Sequence, residues 1–290
     1  MSSGPMFATG PPDGGAATLL AITRAQCRVY PENSPLAADP GLRRYLADLV
    51  GPHGLALRDD LLEQGAGQSY GDMAEPLIEA LVPPDAPVDL LVIAYGVHDV
   101  RLGRATATYL SGRCPGGPLA FAVCDQGVAA AFSALRLINA YTATGDCRRA
   151  LLLVAEQAAV PYELAGPAPV PDRHAAVGLL LEPSGPWQQV ALRTHTTVPA
   201  DKVAALLAEE VAELAAGHHD VMLVAGTGPP LDRSIVDSVG TVRRADPGAP
   251  YTGIWSALCE AEVRRPGRLV LLADHDPALG YLCVAALACT

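Results

Sequence analysis

The stretch from Phe121 to Gln157 limits the possible folds of this chain more than any other part of it. It opens with a short apolar run, Phe121–Val123, and turns through Cys124–Gly127 into small and apolar residues at helical spacing. After a polar turn comes a second apolar run, Ala150–Ala155, which is too short for a helix. This order predicts a buried strand, a sharp turn, a helix and another buried strand.

The sharp turn is the first candidate for a functional site. It places Cys124 and Asp125 at the N-terminus of the predicted helix. The helix dipole and the free N–H groups favour negative charge there. A nucleophile or an oxyanion is stabilised at such a position, so the turn is predicted to hold the reactive group.

Apolar runs and amphipathic stretches recur along the rest of the chain. Helices are predicted where apolar residues share one face, and strands where an apolar run is short. Two strands, His174–Glu182 and Gln189–Thr196, are predicted to pair across a Pro-Ser-Gly-Pro turn, and Asp274–Pro277 is predicted to be a turn. The predicted helices are Pro40–Val50, Asp59–Gln64, Asp72–Leu81, Arg104–Leu110, Asp201–Ala216, Asp232–Val236 and Ile254–Val263. The other predicted strands are Ala17–Val29, Val88–Tyr95, His219–Gly226, Val239–Arg243, Arg268–Ala273 and Tyr281–Ala288.

Three segments of the chain occur twice in the same order. Each set runs through a buried strand, a loop, a glycine turn, a buried helix and a second buried strand. Any α/β protein repeats strands and helices, so chance is one explanation, but the shared order favours a duplication. The matched segments are 89–96 with 220–226, 127–138 with 253–263, and 149–156 with 268–274. We therefore predict two similar halves, 17–165 and 166–290, preceded by a disordered Gly- and Pro-rich tail, 1–16.

The composition fits a large buried core and argues against several kinds of partner. Half of the 290 residues are hydrophobic and 18% are charged, and the formal net charge of −11 disfavours binding to nucleic acid or anionic membranes. The seven cysteines are scattered without a Cys-x-x-Cys pair, which indicates reduced thiols rather than disulfides or a metal site. The sequence has neither an apolar run of membrane-spanning length nor a signal-like start, so a cytoplasmic protein is expected.

The duplicated βαβαβ pattern, with a glycine elbow before a buried helix, resembles the thiolase fold. Several segments are similar to its β-ketoacyl-acyl carrier protein synthase III branch, and the resemblance spans most of residues 85–290. It implies an α/β protein with a five-layer αβαβα arrangement. The similar segments are Val88–Ala94, Phe121–Val123, Ala150–Ala155, His174–Glu182 and Leu269–Leu287.

The same resemblance implies substrates, carriers and partners. The substrate would be an acyl thioester carried on coenzyme A or on the phosphopantetheine of an acyl carrier protein, with no permanently bound cofactor and no metal. The family's dimers pair their sheets across a twofold axis and place the active sites near the interface. A homodimer is therefore expected, or a heterodimer with an active ketosynthase.

The residues at the family's catalytic positions differ in this chain. The family has a Cys-x-Gly nucleophile turn, where this sequence has Asp125-Gln126-Gly127 with Cys124 one residue earlier. The loop that carries the family's His reads Gly226-Thr-Gly228, and the family's Gly-Asn turn is replaced by Gly248–Gly253. The triad for decarboxylative condensation is therefore expected to be absent.

Three residues are the candidates for catalysis. Cys124 is either a thiolate nucleophile or a small buried apolar residue. Asp125 is either a base, a carboxylate that accepts an acyl group, or a helix N-cap. His275, flanked by Asp274 and Asp276, is either a base that faces the elbow or part of a surface turn.

Six residues are candidates for substrate binding. His98 follows a buried strand at the carboxyl edge, where the sites of α/β proteins lie, or else packs a loop. Arg101 and Arg104 come next and are predicted to meet phosphates or an acidic carrier protein. The remaining candidates lie at the two elbows and are Gln126, Tyr251 and Trp255. Tyr251 and Trp255, at the second elbow, alternatively fill the space where the family keeps its Asn.

Two functions follow from these residues. The first is a ketosynthase III-like enzyme that transfers or condenses acyl groups in a polyketide or fatty-acid-like pathway with non-standard catalytic residues. The alternative is a catalytically inactive thiolase-fold subunit that binds acyl chains or supports an active partner. A hydrogen bond between the elbow and His275 would favour the enzyme, whereas a filled pocket would favour the alternative.

Overall fold

A computed structural model describes residues 7–8, 19–101, 103–164, 166 and 168–290 of the chain. Most of the predicted tail, residues 1–16, lies outside this part. Within the tail, Phe7–Ala8 is a two-residue strand that pairs with residues 193–194.

Strands and helices alternate through most of the described chain. None of these helices is both long and apolar enough to cross a membrane. The helices are α1 (Pro40–Val50), α2 (Asp59–Glu63), α3 (Tyr70–Leu81), α4 (Thr106–Arg113), α5 (Ala129–Ala143), α6 (Val203–Ala215), α7 (Arg233–Ser238) and α8 (Gly253–Ser256). The strands are β1 (Phe7–Ala8), β2 (Ala21–Tyr30), β3 (Leu90–Tyr95), β4 (Leu119–Val123), β5 (Ala150–Glu156), β6 (His174–Glu182), β7 (Trp187–His195), β8 (Val221–Ala225), β9 (Thr241–Arg244), β10 (Leu269–Asp276) and β11 (Tyr281–Cys289).

The strand order shows the duplication directly. Ten strands follow one another as β4-β3-β5-β6-β2-β7-β11-β10-β8-β9. In the first half β4, β3 and β5 are parallel and β6 and β2 are antiparallel, and β9, β8, β10, β11 and β7 repeat that pattern in the second half. Along the described chain, the two halves of the sheet meet where β2 pairs with β7, at a single residue pair, Ile22 opposite Trp187.

Three apolar cores separate five layers. The faces of β3, β5 and β6 that point outward pack on α3, and the outward faces of β8, β10 and β11 pack on α6. The other faces of both half-sheets enclose α5 and α8 in a shared central core. Because the central strands are buried on both faces, their sequences are continuous apolar runs rather than alternating ones. The expected αβαβα arrangement is confirmed.

Helix α5 fits the central layer because its residues are small where the two half-sheets approach it. Ala129–Ala131 and Ala134 are buried, so the helix is covered on nearly all sides. Its Phe132 ring lies edge-on to Trp255 of α8, with 5.0 Å between the ring centroids and 60° between the planes. This pair joins the two buried helices across the repeat.

Most predicted elements lie where the sequence places them, and three do not. The predicted hairpin of β6 and β7 does not form, because β2 lies between these strands and pairs with β6 along its length. The second buried helix ends at Ser256 and continues only as a 3-10 turn, Ala257–Cys259, rather than reaching Val263. Residues 274–276, predicted to form a turn, extend β10.

Strand pairing divides the sheet at a different point from the predicted boundary between 165 and 166. That boundary would separate β6 from β5 and β2, the strands to which it is hydrogen-bonded. In the sheet the two halves meet between β2 and β7, and along the chain the division falls between β6 and β7, at residues 183–186.

Candidate functional site

The first elbow joins β4 to α5 and has the backbone of a sharp turn. Asp125 adopts a φ of 60° and Gly127 a φ of 52°. Positive φ is rare outside glycine, and Asp is one of the few residues that accept it, since its short polar side chain bonds locally. Asp125 therefore occupies the apex of the elbow, and Cys124 lies between it and the last residue of β4, Val123.

The environment of Cys124 keeps its sulfur protonated. Its thiol donates a hydrogen bond to Oδ2 of Asp125 at 3.2 Å. Burial raises the pKa of the Cys124 thiol above its usual value, and the adjacent Asp125 carboxylate raises it further; a hydrogen bond with Tyr95 acts in the opposite direction. Because the thiolate is the reactive form, Cys124 is a poor nucleophile at neutral pH.

Asp125 is not the helix cap that its position suggested. The cap of α5 is Val128, which makes no side-chain bond to the helix. The Asp125 side chain is 73% exposed, and its Oδ1 lies 4.0 Å from Nε2 of His98, which is 46% exposed. The structure thus brings together Cys124, Asp125 and His98 at the outer end of the elbow.

An open groove begins beside this group. Two adjoining cavities, of about 400 and 420 Å³, lie between α1 and the loop that follows β3, and they share Tyr45, Arg101 and Arg104. Tyr95 and His98 line the end nearest the elbow. The buried Leu42, Leu46 and Val50 anchor α1. Its exposed Tyr45 and Leu49 face the groove and give it an apolar wall.

The two predicted arginines differ in what they hold. Arg104 stacks on the ring of Tyr109 at 3.8 Å and donates a hydrogen bond to Oγ of Ser69 at 2.8 Å. It joins α3 to the start of α4 and is already occupied. Arg101 is exposed, and its backbone N–H donates to Asp99 at 2.9 Å. Its guanidinium is therefore the better placed of the two for a ligand in the groove.

Tyr251 closes the space between the two elbows. Its ring lies against Gly96, where an added Cβ would overlap it. Its hydroxyl donates to the carbonyl of Pro169 at 2.8 Å. The gap bounded by Tyr251, Gly96 and Gly127 leaves no room for a water molecule. The Tyr251 side chain thus fills the interior between the two elbows.

Two other predicted substrate-binding residues also face the interior rather than the groove. Trp255 is fully buried against Phe132 in the central core. The Gln126 side chain is turned back onto α5, where it accepts a hydrogen bond from Ser133 at 2.5 Å. Of the six residues predicted to bind substrate, His98, Arg101 and Arg104 line the groove.

Glu156, at the end of β5, holds the second elbow. Its carboxylate accepts hydrogen bonds from the N–H of Tyr251 at 2.9 Å, from the N–H of Thr252 at 3.2 Å and from the Thr252 hydroxyl. Burial raises its pKa to about 7, against the effect of these bonds, which lower it. A charged residue that ends an apolar strand was the sequence signal for such a buried partner.

His275 lies on the wrong face of its strand to serve the elbow. Side chains alternate along a strand, and Val270 and Leu272 belong to the central core while Leu271 and Ala273 belong to the outer core on α6. His275 therefore points toward the outer layer. It is 4% exposed, so it is not part of a surface turn, and burial lowers its pKa. The predicted contact between His275 and the elbow does not form.

The neighbours of His275 point the other way. A Cβ added at Gly127 would overlap the Asp276 carboxylate, so Asp276 packs directly under the first elbow. Asp274 lies against Gly226 and accepts a bond from the N–H of His275 at 2.9 Å; burial raises its pKa to about 7. In the described part of the chain, no three His, Cys, Asp or Glu side chains are grouped to hold a metal ion.

Comparison with solved structures shows which fold this is. ChlB3, described as an acyltransferase, is 18% identical, with a TM-score of 0.60 over 93% of this chain and 97% of that one. AbyA1, a tetronic acid condensing enzyme, is 18% identical, with a TM-score of 0.61 over 93% and 99%. OleA of Xanthomonas campestris, with bound lauric acid and lauroyl-CoA, is 15% identical, with a TM-score of 0.57 over 93% and 98%.

No protein-family model and no curated protein sequence matches the chain. The similarity covers nearly the whole length of each of these solved chains, so this chain has the complete thiolase-like fold. At these identities the similarity shows the fold alone.

Proposed function

We propose that this ketosynthase III-like protein binds an acyl thioester, delivered on coenzyme A or a carrier protein, without forming a covalent acyl-enzyme. One observation carries the proposal. Asp125, and not a cysteine, has the elbow conformation, while Tyr251 closes the interior behind it. The elbow keeps its sharp backbone turn but has no reactive thiolate that could take over an acyl group.

Thioester exchange at this elbow is chemically unfavourable. Transfer of an acyl group from one thiol to another exchanges one thioester for another of similar energy, and it requires a nucleophilic thiolate. Burial and Asp125 hold Cys124 in its protonated form. Attack by the Asp125 carboxylate would instead form an anhydride, which is more reactive than the thioester that it replaces. Condensation by this chain alone is therefore not expected.

The groove beside the elbow supports a binding role. Its apolar wall, Tyr45 and Leu49, suits an acyl or pantetheine chain, and Arg101 suits a phosphate. One structural neighbour, OleA, has been crystallised with lauroyl-CoA. The ligand class that we assign to this chain is the same, a fatty acyl thioester of coenzyme A or of a carrier protein.

We assign the protein the role of a thiolase-fold subunit that supports an active ketosynthase in polyketide or fatty-acid-like biosynthesis. Within the described residues, strand β4 pairs with β3 on one side only, and Leu119 and Ala122 on it are exposed. A second thiolase-fold chain, identical or active, would extend the sheet from that edge.

Titration with lauroyl-CoA, followed by calorimetry and intact mass, tests the proposal. We expect saturable binding with no added acyl mass. Arg101→Glu should weaken the binding at least tenfold, whereas Arg265→Glu, which makes the same charge change at an exposed position, should not. Absence of binding would contradict the proposal, and so would an acyl adduct that disappears in Cys124→Ala.

A second function is favoured by the contact between His98 and Asp125 at the mouth of the groove. His98 is placed to take a proton from an acceptor hydroxyl or amine that attacks the bound thioester directly. Release of free coenzyme A in the presence of an acceptor, lost in His98→Ala, would establish acyl transfer. With no release in the wild type, the binding role alone remains.

A further inference from the structure

Two cysteines that are far apart in the sequence meet where the halves of the protein join. Cys27 lies on β2 and is exposed, and Cys259 ends the 3-10 turn after α8 and is partly buried. Strand β2 lies against the 3-10 turn that Cys259 ends, which brings the two thiols together. Both are free thiols in the structure.

The fold explains how these two residues come together. In the described chain, strand β2 pairs with β7 only at Ile22, and the 3-10 turn Ala257–Cys259 also lies against β2. Ala25 packs on the central core, and Cys27 follows two residues later on the same face of the strand. Cys259 packs on that core from the second half. The contact is thus a fixed product of the strand register and not of a mobile loop.

The pair has the electrostatics of a reactive dithiol. The hydrogen bond from Cys259 lowers the pKa of Cys27 to about 6, although burial and the Glu260 carboxylate raise it. The same bond raises the pKa of Cys259. Glu260 is itself ion-paired with Arg243, with 2.7 Å between Nη2 and Oε1, so part of its charge is neutralised. These opposite shifts favour one thiolate and one thiol in the pair, which is the state that reacts with an oxidant.

We propose that Cys27 and Cys259 form a redox-active dithiol that closes to a disulfide between the two halves. With glutathione disulfide as oxidant, the Cys27 thiolate attacks one sulfur and releases a glutathione thiolate, leaving a mixed disulfide on Cys27. Cys259 then loses its proton, attacks the Cys27 sulfur and releases the second glutathione. Two protein thiols and one glutathione disulfide give one protein disulfide and two glutathiones.

Closing this bond affects the second elbow. The disulfide would tie β2 to the end of the α8 segment, whose start carries Tyr251 and Thr252 and is bonded to Glu156. A loop that includes most of the chain would be closed, which restricts the unfolded state strongly. Oxidation should therefore stabilise the protein and fix the contact between its halves. This inference does not depend on the proposed function.

Equilibration of the purified protein in glutathione buffers tests the inference. The wild type should lose the mass of two hydrogens, yield one cross-linked peptide containing Cys27 and Cys259, and unfold at a higher temperature once oxidised. Cys124→Ser is the matched control for a partly exposed thiol outside the pair and should behave as the wild type does.

The single variants separate the two steps. Cys259→Ser should stop at one glutathione on Cys27 and show no rise in unfolding temperature. Cys27→Ser should gain no glutathione at Cys259. An oxidised wild type that carries glutathione on Cys27 without the cross-linked peptide would overturn the proposal, and so would a cross-link between other cysteines.

Discussion

At the first elbow, Asp125 has the left-handed backbone conformation and an outward carboxylate, and Cys124 beside it is a protonated thiol. The elbow geometry is therefore separate from the chemistry that it holds. A nucleophilic side chain placed at the apex should be more reactive than Cys124, because the apex is exposed and leads into the N-terminus of a long buried helix.

We expect Asp125→Cys, made in a Cys124→Ala background, to become acylated. The new thiol would stand at the apex without the Asp125 carboxylate, which raises the pKa of Cys124 in the wild type. Intact mass after incubation with acetyl-CoA should show one acetyl group on the double variant and none on Cys124→Ala alone. Equal acylation of both proteins would show that another residue reacts.

Glu156 gives the stability of the protein a predictable dependence on pH. Its pKa in the folded state is about 7, above the usual 4.5, so the folded protein keeps a proton that the unfolded chain releases. The free energy of unfolding should therefore fall as the pH rises from about 4.5 to about 7, by roughly 3 kcal/mol at most.

Urea unfolding of the wild type and of Glu156→Gln across this range checks the sign. The variant should be less stable at low pH, since it loses an acceptor for the Thr252 and Tyr251 bonds, and its profile should lack this part of the fall. Asp274, whose pKa is also raised to about 7, makes the free energy of unfolding fall over the same pH range in both proteins. Parallel profiles would contradict the role given to Glu156.

Among the elements, the sequence predicted the central strands and long helices because their signals are local. Apolar runs such as β3 and β5, and amphipathic helices such as α1 and α3, can be recognised from a few consecutive residues. The hairpin of β6 and β7 was wrong because pairing with β2 is a contact across the whole first half. No local pattern records that.

The site was predicted in part for the same reason. The elbow and the groove residues His98 and Arg101 follow directly from strand ends and turn composition. The face on which His275 lies depends on where β10 stops, and the apolar residues end before the strand does. The contact of Tyr251 with Gly96 joins two halves of the chain and leaves no mark in either segment.

Strand β4 is the element on which assembly is predicted to depend. On the described chain it bonds to β3 alone, and Leu119 and Ala122 are exposed. Leu119→Lys combined with Ala122→Lys would place like charges along a paired edge and should convert a dimer to a monomer. Light scattering after size exclusion measures this change.

The control for the edge strand is Val236→Lys, at another exposed apolar position, on α7. It should leave the dimer intact. A wild type that is already monomeric, or a dimer that survives the double substitution, would show that β4 is not the interface.

At the scale of the whole molecule, the central core belongs to both halves at once. Phe132 comes from the first half and Trp255 from the second, and strands of both half-sheets cover them. Neither half can bury its inner face without the other. The protein should therefore unfold in a single transition despite its internal repeat.

Trp255→Ala tests this coupling. We expect it to lower the free energy of unfolding by about 3–5 kcal/mol, since a large fully buried side chain is lost. Far-UV circular dichroism and the fluorescence of Trp187 should still change together. Leu137→Ala, on the exposed side of α5, should cost less than about 1 kcal/mol. Two separated transitions would mean that the halves are independent.

The chain passes from the first half of the sheet to the second through residues 183–186. A break at this crossing would remove one peptide bond while leaving every strand pair and the shared core in place. Fragments 1–184 and 185–290 should therefore complement each other. Each would be unfolded alone, and together they would rebuild the circular dichroism spectrum of the intact protein. The protein is thus organised like a heterodimer whose two subunits are joined in one polypeptide chain.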